Sequence, residues 1–365
     1  MRVLIIETTV FGYDGITSVI TNYYKYQDHK RVHMDFVTKN PVSDTFKKEL
    51  DKYGGKNYIL PYRNQHPLKY IIQLINVIRS GGYQIVHVHG CSATMAVEML
   101  AAWLAGVKVR ISHSHNTKCD HEKADKFLRP IFNVCCNVGF ACGKEAGEWL
   151  FPGRNFYVVS NGIDLAKYQY NEDVRKQMRS KYGLDGSFVI GHVGRFSKQK
   201  NHDKLIDIFE AVSKHYNNAK LVLIGDGELK DKIENRTQKS GLDVLFVGNS
   251  SEVEKWLQAM DMIVFPSLYE GLPLGLVEAQ AAGLPCILSN TISPDTEITD
   301  LVDFVSLDAS ADKWVDEINK NKERFNRRER VETVKQQICR AHFDIRSNCV
   351  DLARKYEELL TNKRK

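Results

Sequence analysis

The sequence predicts an α/β protein made of two Rossmann-like domains facing each other across a cleft. Three observations predict it. Short apolar runs alternate with helical patterns along almost the whole chain, which signals parallel sheets covered on both faces. Twelve such runs occur. That exceeds what one doubly wound sheet usually holds, and 365 residues make about two domains at roughly 150 each. The series also divides near residue 170. There Asn161-Gly-Ile-Asp-Leu-Ala-Lys167 carries turn chemistry instead of a strand or helix period.

In the first half the strands are expected at Val3–Ile6, His33–Val37, Ile85–His89, Val107–Ser112, Val138–Ala141 and Phe156–Val159. In the second half they are expected at Phe188–Val193, Lys220–Ile224, Val244–Val247, Met262–Phe265, Pro285–Leu288 and Phe304–Leu307. Ile71, Ile75 and Ile78 form one apolar helical face; Val253, Trp256, Leu257 and Met260 form another. A last helix near Val350–Leu360 aligns Leu352, Tyr356, Leu359 and Leu360. The domains are therefore set at 1–167 and 168–344. Ligands of such sheets bind at the carboxyl ends of the strands.

Composition narrows the classes. Hydrophobic residues are 43% and charged residues 26%, ordinary for a globular chain. No apolar run approaches the ~20 residues of a membrane span, and no secretory signal is visible at the start. Eight scattered cysteines without a C-x-x-C pair suit a reduced, cytoplasmic protein. The net charge of +6 lies entirely in residues 1–165, with 20 basic and 14 acidic residues. A basic half beside a neutral one suits an anionic partner such as phosphate groups or an acidic membrane surface. Nucleic acid is not expected, because no binding module or arginine-rich arm occurs.

The strongest chemical signal runs from Ser267 to Gly283, following the strand Met262–Phe265 and opening a helix near Pro273. First-turn N–H groups and the helix dipole can hold an anion there, and Gly271 permits close approach of phosphates to the backbone. Glu270 precedes this helix and Glu278 lies within it; a carboxylate can accept two hydrogen bonds from sugar or ribose hydroxyls. The second signal is Gly191–His202. Arg195 and Lys200 follow a strand end, as two cations able to clamp a diphosphate and stabilise one that departs. Phe11–Ile16 and Gly225-Asp-Gly227 lack the G-x-G-x-x-G pattern and read as turns.

Histidines gather at strand ends as His87, His89, His113 and His115. They are read as an active-site group, with core histidines as the bland alternative. A zinc set of His113, His115, His121 and Cys119 matches no familiar ligand spacing. No Asp-x-Asp pair occurs, so no carboxylate cage for a nucleotide-bridging Mg²⁺ is expected, and no metal or other cofactor.

Together these segments resemble family 4 of the retaining GT-B glycosyltransferases, of the bacterial exopolysaccharide and capsule type. The matching text is Ile111–Thr117, Ala141–Phe151, Val159–Asp164, Gly191–His202, Leu223–Glu228, Met260-Asp261 and Phe265–Gly283. The resemblance implies a nucleotide-sugar donor on the second domain, and an acceptor on the first domain with the C-terminal helix packed back on it. By the same resemblance Glu270 contacts the donor sugar and Glu278 the ribose. Arg195 and Lys200 grip the diphosphate with the Gly271 and Leu272 N–H groups, and Gly15 approaches it from the other domain. The backbone around Phe246, Val247 and Gly248 resembles a uracil-reading edge. His115 most resembles the active-site histidine, with His113 as the alternative. Members of that family commonly have two adjacent glycines where this chain has Asp14-Gly15, a departure that weakens the Gly15 assignment relative to Arg195.

The implied function is retaining, metal-independent hexosyl transfer from a UDP-hexose to a polyprenyl-diphosphate-linked glycan in exopolysaccharide or capsule biosynthesis. The enzyme would be cytoplasmic, on the inner face of the cell membrane. The alternatives are a non-catalytic scaffold subunit, which should have lost one of Arg195, Lys200, Glu270 and Glu278, and a nucleotide-sugar epimerase.

Overall fold

Two parallel sheets organise the chain, and each gathers its own helices and core. The computed structural model describes every residue except Tyr13, Asp14, Asp120, Gly271, Phe325 and 363–365. Residues 1–162 and 344–365 form the first unit, and 163–343 the second.

In the first unit β1 (Arg2–Glu7), β2 (His33–Thr38), β3 (Asn57–Ile59), β4 (Ile85–Gly90), β5 (Val109–Ser114), β6 (Val138–Ala141) and β7 (Tyr157–Val158) form one sheet. Their order is β3-β2-β1-β4-β5-β6-β7, all parallel, so the order reverses between β1 and β4. Val3, Leu4, Ile5 and Ile6 are all buried, as a strand covered on both faces requires. Each such side chain contributes about 1.5–3 kcal/mol on burial. The helix Ile345–Asn362 packs on this unit against the helix Gly15–Tyr26 through Cys349, Leu352 and Tyr356.

In the second unit β8 (Phe188–Val193), β9 (Ala219–Ile224), β10 (Val244–Gly248), β11 (Met262–Phe265), β12 (Cys286–Ser289) and β13 (Val302–Val305) run in the order β10-β9-β8-β11-β12-β13. The reversal lies between β8 and β11. Ile190, Phe209, Leu221, Val264 and Trp314 belong to the core over this sheet. Arg327 fastens four carbonyls, those of Ala282, Gln258, Met260 and Leu257. Burial and the neighbouring Arg175 push its guanidinium down to about 9.

Several expectations are corrected. Asn57–Ile59 is a strand that the sequence reading missed, since three residues carry no period. Val107 belongs to the turn before β5, where its N–H donates to the Ala102 carbonyl at 3.0 Å, so the strand starts at Val109. The last strand is Val302–Val305 rather than Phe304–Leu307. In the helix Pro67–Gly81 the buried line is Tyr70, Leu74 and Ile78, with Ile71 and Ile75 flanking it. Residues 163–167 group with the second unit: Ile163 N–H donates to the Phe343 carbonyl at 2.9 Å, and Leu165–Tyr168 is a helical turn. The charge asymmetry sharpens along this division. The first unit carries 26 basic and 17 acidic residues, the second 25 and 28.

Candidate active site

β8 ends at Val193, and Gly194 and Arg195 follow at the carboxyl edge of the second sheet, beside the reversal of strand order. The segment Gly225-Asp226-Gly227 packs directly against them. Gly225 has φ +138°, and a Cβ there would stand 2.1 Å from the Gly194 carbonyl oxygen. Gly227 has φ +156°, and its Cβ would stand 2.6 Å from the Phe196 oxygen. Only glycine meets both demands, so this segment is a fitted support and not merely a turn.

Lys200 closes the short 3₁₀ turn Lys198–Lys200, and Asn201 follows in the left-handed region at φ 54°. The Asn201 amide donates to the Pro266 carbonyl at 3.0 Å, tying this turn to the end of β11. The tie sets Lys200 Nζ 2.6 Å from Glu270 Oε1, with the side chains only 14% and 7% exposed. The ammonium also lies 5.4 Å from the centre of the Phe265 ring. Gln199 donates to the other Glu270 oxygen at 3.1 Å and to the Tyr269 carbonyl at 3.0 Å. Ser293 N–H donates to the Glu270 carbonyl, fixing the backbone from the side of β12. The result is a sheltered cation and carboxylate held in one place before any ligand arrives.

Arg195 differs: it is 73% exposed and pairs with Glu228 at 3.1 Å. An exposed pair of this kind is worth about 0–1 kcal/mol, so an anion can take the guanidinium at small cost. The helix Leu274–Ala281 starts one residue after Pro273, which stands ahead of it as the cap and not in its first turn. A Cβ on Gly275 would lie 3.6 Å from the Val193 oxygen, so the helix start abuts the end of β8. Leu272 is buried, and Gly271 lies outside the described residues.

Glu278 is partly buried on that helix and accepts from Tyr168 Oη at 2.6 Å. Burial raises its carboxyl above the usual range, while the Tyr168 hydrogen bond and Lys167 pull it back. Phe246 and Val247 lie on β10, an edge strand of this sheet. Val247 bulges between the pairs Phe246–Leu223 and Gly248–Ile224, and Phe246 stacks on Phe196 with centroids 6.1 Å apart. The carboxyl edge of the second sheet thus gathers Arg195, Lys200 and Glu270, with the Leu274 helix start beside them.

The remaining predicted residues lie in the first unit. Gly15 opens its helix in the open, with nothing within 4 Å of a Cβ there. His113 is 1% exposed, whereas His115 stands just past the end of β5 and is partly exposed. The four strand-end histidines form a stacked column. His89 Nδ1 and His115 Nε2 are hydrogen-bonded at 2.9 Å. His87 Nε2 and His113 Nδ1 are 3.2 Å apart, and His87 Nδ1 meets Tyr356 Oη at 2.7 Å. Burial pushes His115 down to about 3 and the other three well below their ordinary range, with neighbouring imidazoles adding repulsion. Depressed values of this kind favour the neutral imidazoles near pH 7.

Among the described residues the His/Cys/Asp/Glu group close enough to share a metal is His87, His89 and His113, without His121 or Cys119. Both His87 nitrogens are already engaged, so the group reads as a hydrogen-bonded column. Sequence reasoning missed Gln199 and Tyr168, and placed Tyr356 only on the apolar face of the last helix. Gln199 stood beside Lys200 in the Gly191–His202 segment and was legible there. Tyr168 had no local signal, and nothing local to Tyr356 pointed to its hydrogen bond with His87.

Two α/β units, with a strand-end cation and carboxylate held beside a helix start, have the architecture of the GT-B glycosyltransferases. The Anabaena protein HepE in complex with UDP superposes with a TM-score of 0.80 at 17% identity, covering 98% of this chain and all of that one. WaaG, a lipopolysaccharide glycosyltransferase, gives 0.71 at 14% identity over 97% and 98%. The chain belongs to the family described as Glycosyl transferases group 1, matched over residues 174–363, and residues 13–167 match Glycosyltransferase Family 4. EpsF of Bacillus subtilis is 34% identical over 321 residues, 83% of each chain. The UDP-Gal:alpha-D-GlcNAc-diphosphoundecaprenol alpha-1,3-galactosyltransferase of Escherichia coli is 31% identical over 241 residues, covering 61% of this chain and 62% of that one. This chain is a glycosyltransferase.

Proposed function

We propose that the protein transfers a hexosyl unit, with retention, from a UDP-sugar to a hydroxyl of a polyprenyl-diphosphate-linked glycan, without a metal ion, in exopolysaccharide or capsule assembly. The observation that carries this reading is the sheltered Lys200–Glu270 pair at the carboxyl edge of the second sheet, beside Gly194 and Arg195. In support, the Escherichia coli relative is named for a UDP-sugar and a diphosphoundecaprenol acceptor, and the Anabaena structure holds UDP. A Staphylococcus aureus relative is named for capsular polysaccharide biosynthesis.

The chemical problem is negative charge accumulating on the departing UDP while the sugar becomes oxocarbenium-like. Lys200 and Arg195 stabilise the departing diphosphate, joined in this reading by the Gly271 and Leu272 N–H groups that precede the helix in the sequence. Glu270 orients the sugar hydroxyls, and Glu278 accepts from the ribose through the oxygen that Tyr168 does not occupy. Phe246 and Val247 present an edge-strand backbone to the uracil. In front-face transfer the acceptor oxygen bonds to the anomeric carbon as the carbon–phosphate oxygen bond breaks. The acceptor proton passes to the leaving phosphate. His115, neutral, positions the incoming hydroxyl or sugar.

Calorimetric titration with UDP and with GDP, both in EDTA, tests the reading first. Binding of UDP alone is expected, followed by transfer from a UDP-hexose with an α anomeric signal in the product. Preference for GDP would replace the donor class. Absence of binding to either would favour a non-catalytic scaffold, and conversion of the donor sugar without acceptor would mean an epimerase.

A further inference from the structure

The amino edge of the second sheet, opposite the edge that holds Lys200 and Glu270, carries a cleft of about 590 Å³. Phe188 begins β8, and Asn218, Asp261 and Pro285 stand one residue ahead of β9, β11 and β12; all four line the cleft. Arg195, Lys200 and Glu270 follow strand ends, so the length of β8 and β11, about 13–20 Å, lies between the two places. The volume suits a ligand of several groups and not a single small ion.

The charge of the cleft is the reverse of its unit's. The second unit has 25 basic and 28 acidic residues, yet Arg175, Arg179, Lys322, Arg327 and Arg328 line the cleft with Asp261 as the lining carboxylate. Asp261 is shared. Arg175 and Arg179 both pair with it, the latter at 3.2 Å, and its Oδ2 accepts from the Val189 N–H at 2.7 Å. Arg328 pairs with Glu172 at 2.9 Å, in the open. Arg327 directs its N–H groups to carbonyls and has no carboxylate partner among the described residues. Lys322 Nζ lies 3.9 Å from the centre of the Tyr216 ring and 4.8 Å from that of Phe188, with neither a hydrogen bond nor an ion pair among the described residues. Five cations therefore face two carboxylates, an excess of three positive charges. Carbonyls at the end of the helix Val253–Ala259 satisfy several of the N–H groups, but a helix end supplies only about half an elementary charge. The depression of the Arg327 guanidinium to about 9, by burial and Arg175, is what unbalanced positive charge produces.

We propose that this cleft binds a diphosphate group, free or carried by a nucleoside, at a site separate from the strand-end cluster. Two phosphate groups bring about three negative charges near neutral pH, which matches the excess. The Lys322 ammonium and the Arg328 guanidinium bond the phosphate oxygens as charge-assisted donors. Arg175, Arg179 and Arg327, held by backbone carbonyls, supply a fixed positive potential behind them. A neutral sugar or an apolar ligand would leave the excess charge in place.

The test is calorimetric titration of the full chain with pyrophosphate in EDTA, with hydrogen exchange to place the ligand. The K200M/E270L variant removes the pair at the strand-end cluster, so that the amino-edge cleft is read by itself. Pyrophosphate is expected to bind this variant and to slow exchange in peptides across 172–188 and 318–330. Adding K322M/R328M should weaken that binding about 10²-fold, and adding K322Q alone about 10-fold. The Arg328–Glu172 pair is exposed, so these changes should leave the circular dichroism as it was. ADP or UDP binding K200M/E270L more tightly than pyrophosphate assigns the group to a nucleoside. Equal or weaker binding assigns it to the free diphosphate, and either result supports the site. Exchange slowed only across 191–202 and 262–283 overturns the proposal, as does unchanged affinity on adding K322M/R328M and K322Q. Wild type that binds no pyrophosphate overturns it too, and so does an acidic oligosaccharide that occupies the cleft more tightly than pyrophosphate.

Discussion

Replacing Lys200 with Met should destabilise the second unit more than replacing Lys200 and Glu270 together. The pair is 2.6 Å apart, and both side chains are nearly enclosed, so it behaves as a buried ion pair. Removing one partner of such a pair costs about 3–5 kcal/mol, because the other charge is left without compensation. The lower end, about 3 kcal/mol, applies here, since Gln199 still donates to Glu270 at 3.1 Å. Removing both charges in K200M/E270L should cost about 1 kcal/mol or less, as apolar replacement of buried pairs is often neutral. Urea titrations of wild type, both single variants and the double variant measure this coupling. Hydrogen exchange on peptides across 262–283 follows the second unit by itself. Single costs that add to the double cost within about 0.5 kcal/mol would refute the coupling. Turnover separates stability from chemistry. Each single variant should lose about 10²-fold or more, and the double should regain stability without regaining rate. Near-normal turnover in either single variant would refute the site.

Gly225→Ala should lower turnover by about 10²-fold with little change in overall helix content. Its Cβ must displace the Gly194 carbonyl, 2.1 Å away, and with it Arg195; steady-state kinetics beside circular dichroism decides. Glu278 titrates with a raised carboxyl, so the folded second unit binds its proton more tightly than the unfolded chain does. Stability should therefore fall as pH rises from 4.5 through the raised value and then level off. Thermal midpoints should show the slope, extended to higher pH by Tyr168→Phe and abolished by Glu278→Gln. The histidine column has the opposite sign. Its folded values are depressed, so first-unit stability is complete above about 6.5 and is lost as pH falls towards about 3 for His115. Hydrogen exchange of β4 and β5 across pH 7 to 4 reads this, and protection that is constant over the range would refute it.

Much of the fold was legible in the chain. Continuous apolar runs such as Val3–Ile6 and Met262–Phe265 cannot be surface segments, so their burial on both faces, and hence parallel sheets, follows from composition alone. The cluster at the carboxyl edge of the second sheet was legible for a related reason. Arg195, Lys200 and Glu270 lie close after strand ends, and in parallel sheets strand ends gather on one edge. Asn57–Ile59 escaped because a three-residue strand is specified by its neighbour β2 and not by its own pattern.

The histidine column shows where local pattern stops. Alternation places His87 with His89 on one face of their strand, and His113 with His115 on one face of theirs. That these faces meet depends on β4 lying beside β5 with His89 opposite His113, and that Tyr356 caps the column depends on a helix 269 residues further along. The same holds for the helix Glu122–Cys135: Phe132 and Cys135 face the core beside Asp125, whose carboxylate accepts from the Ala93 N–H across 32 residues, while Phe127, Ile131 and Val134 stay exposed. Periodicity and strand-end position are properties of a segment, so the sequence alone determined them. Which face is buried, and which groups share a proton or a charge, are properties of pairs of segments, and only the tertiary structure sets the distances that decide them.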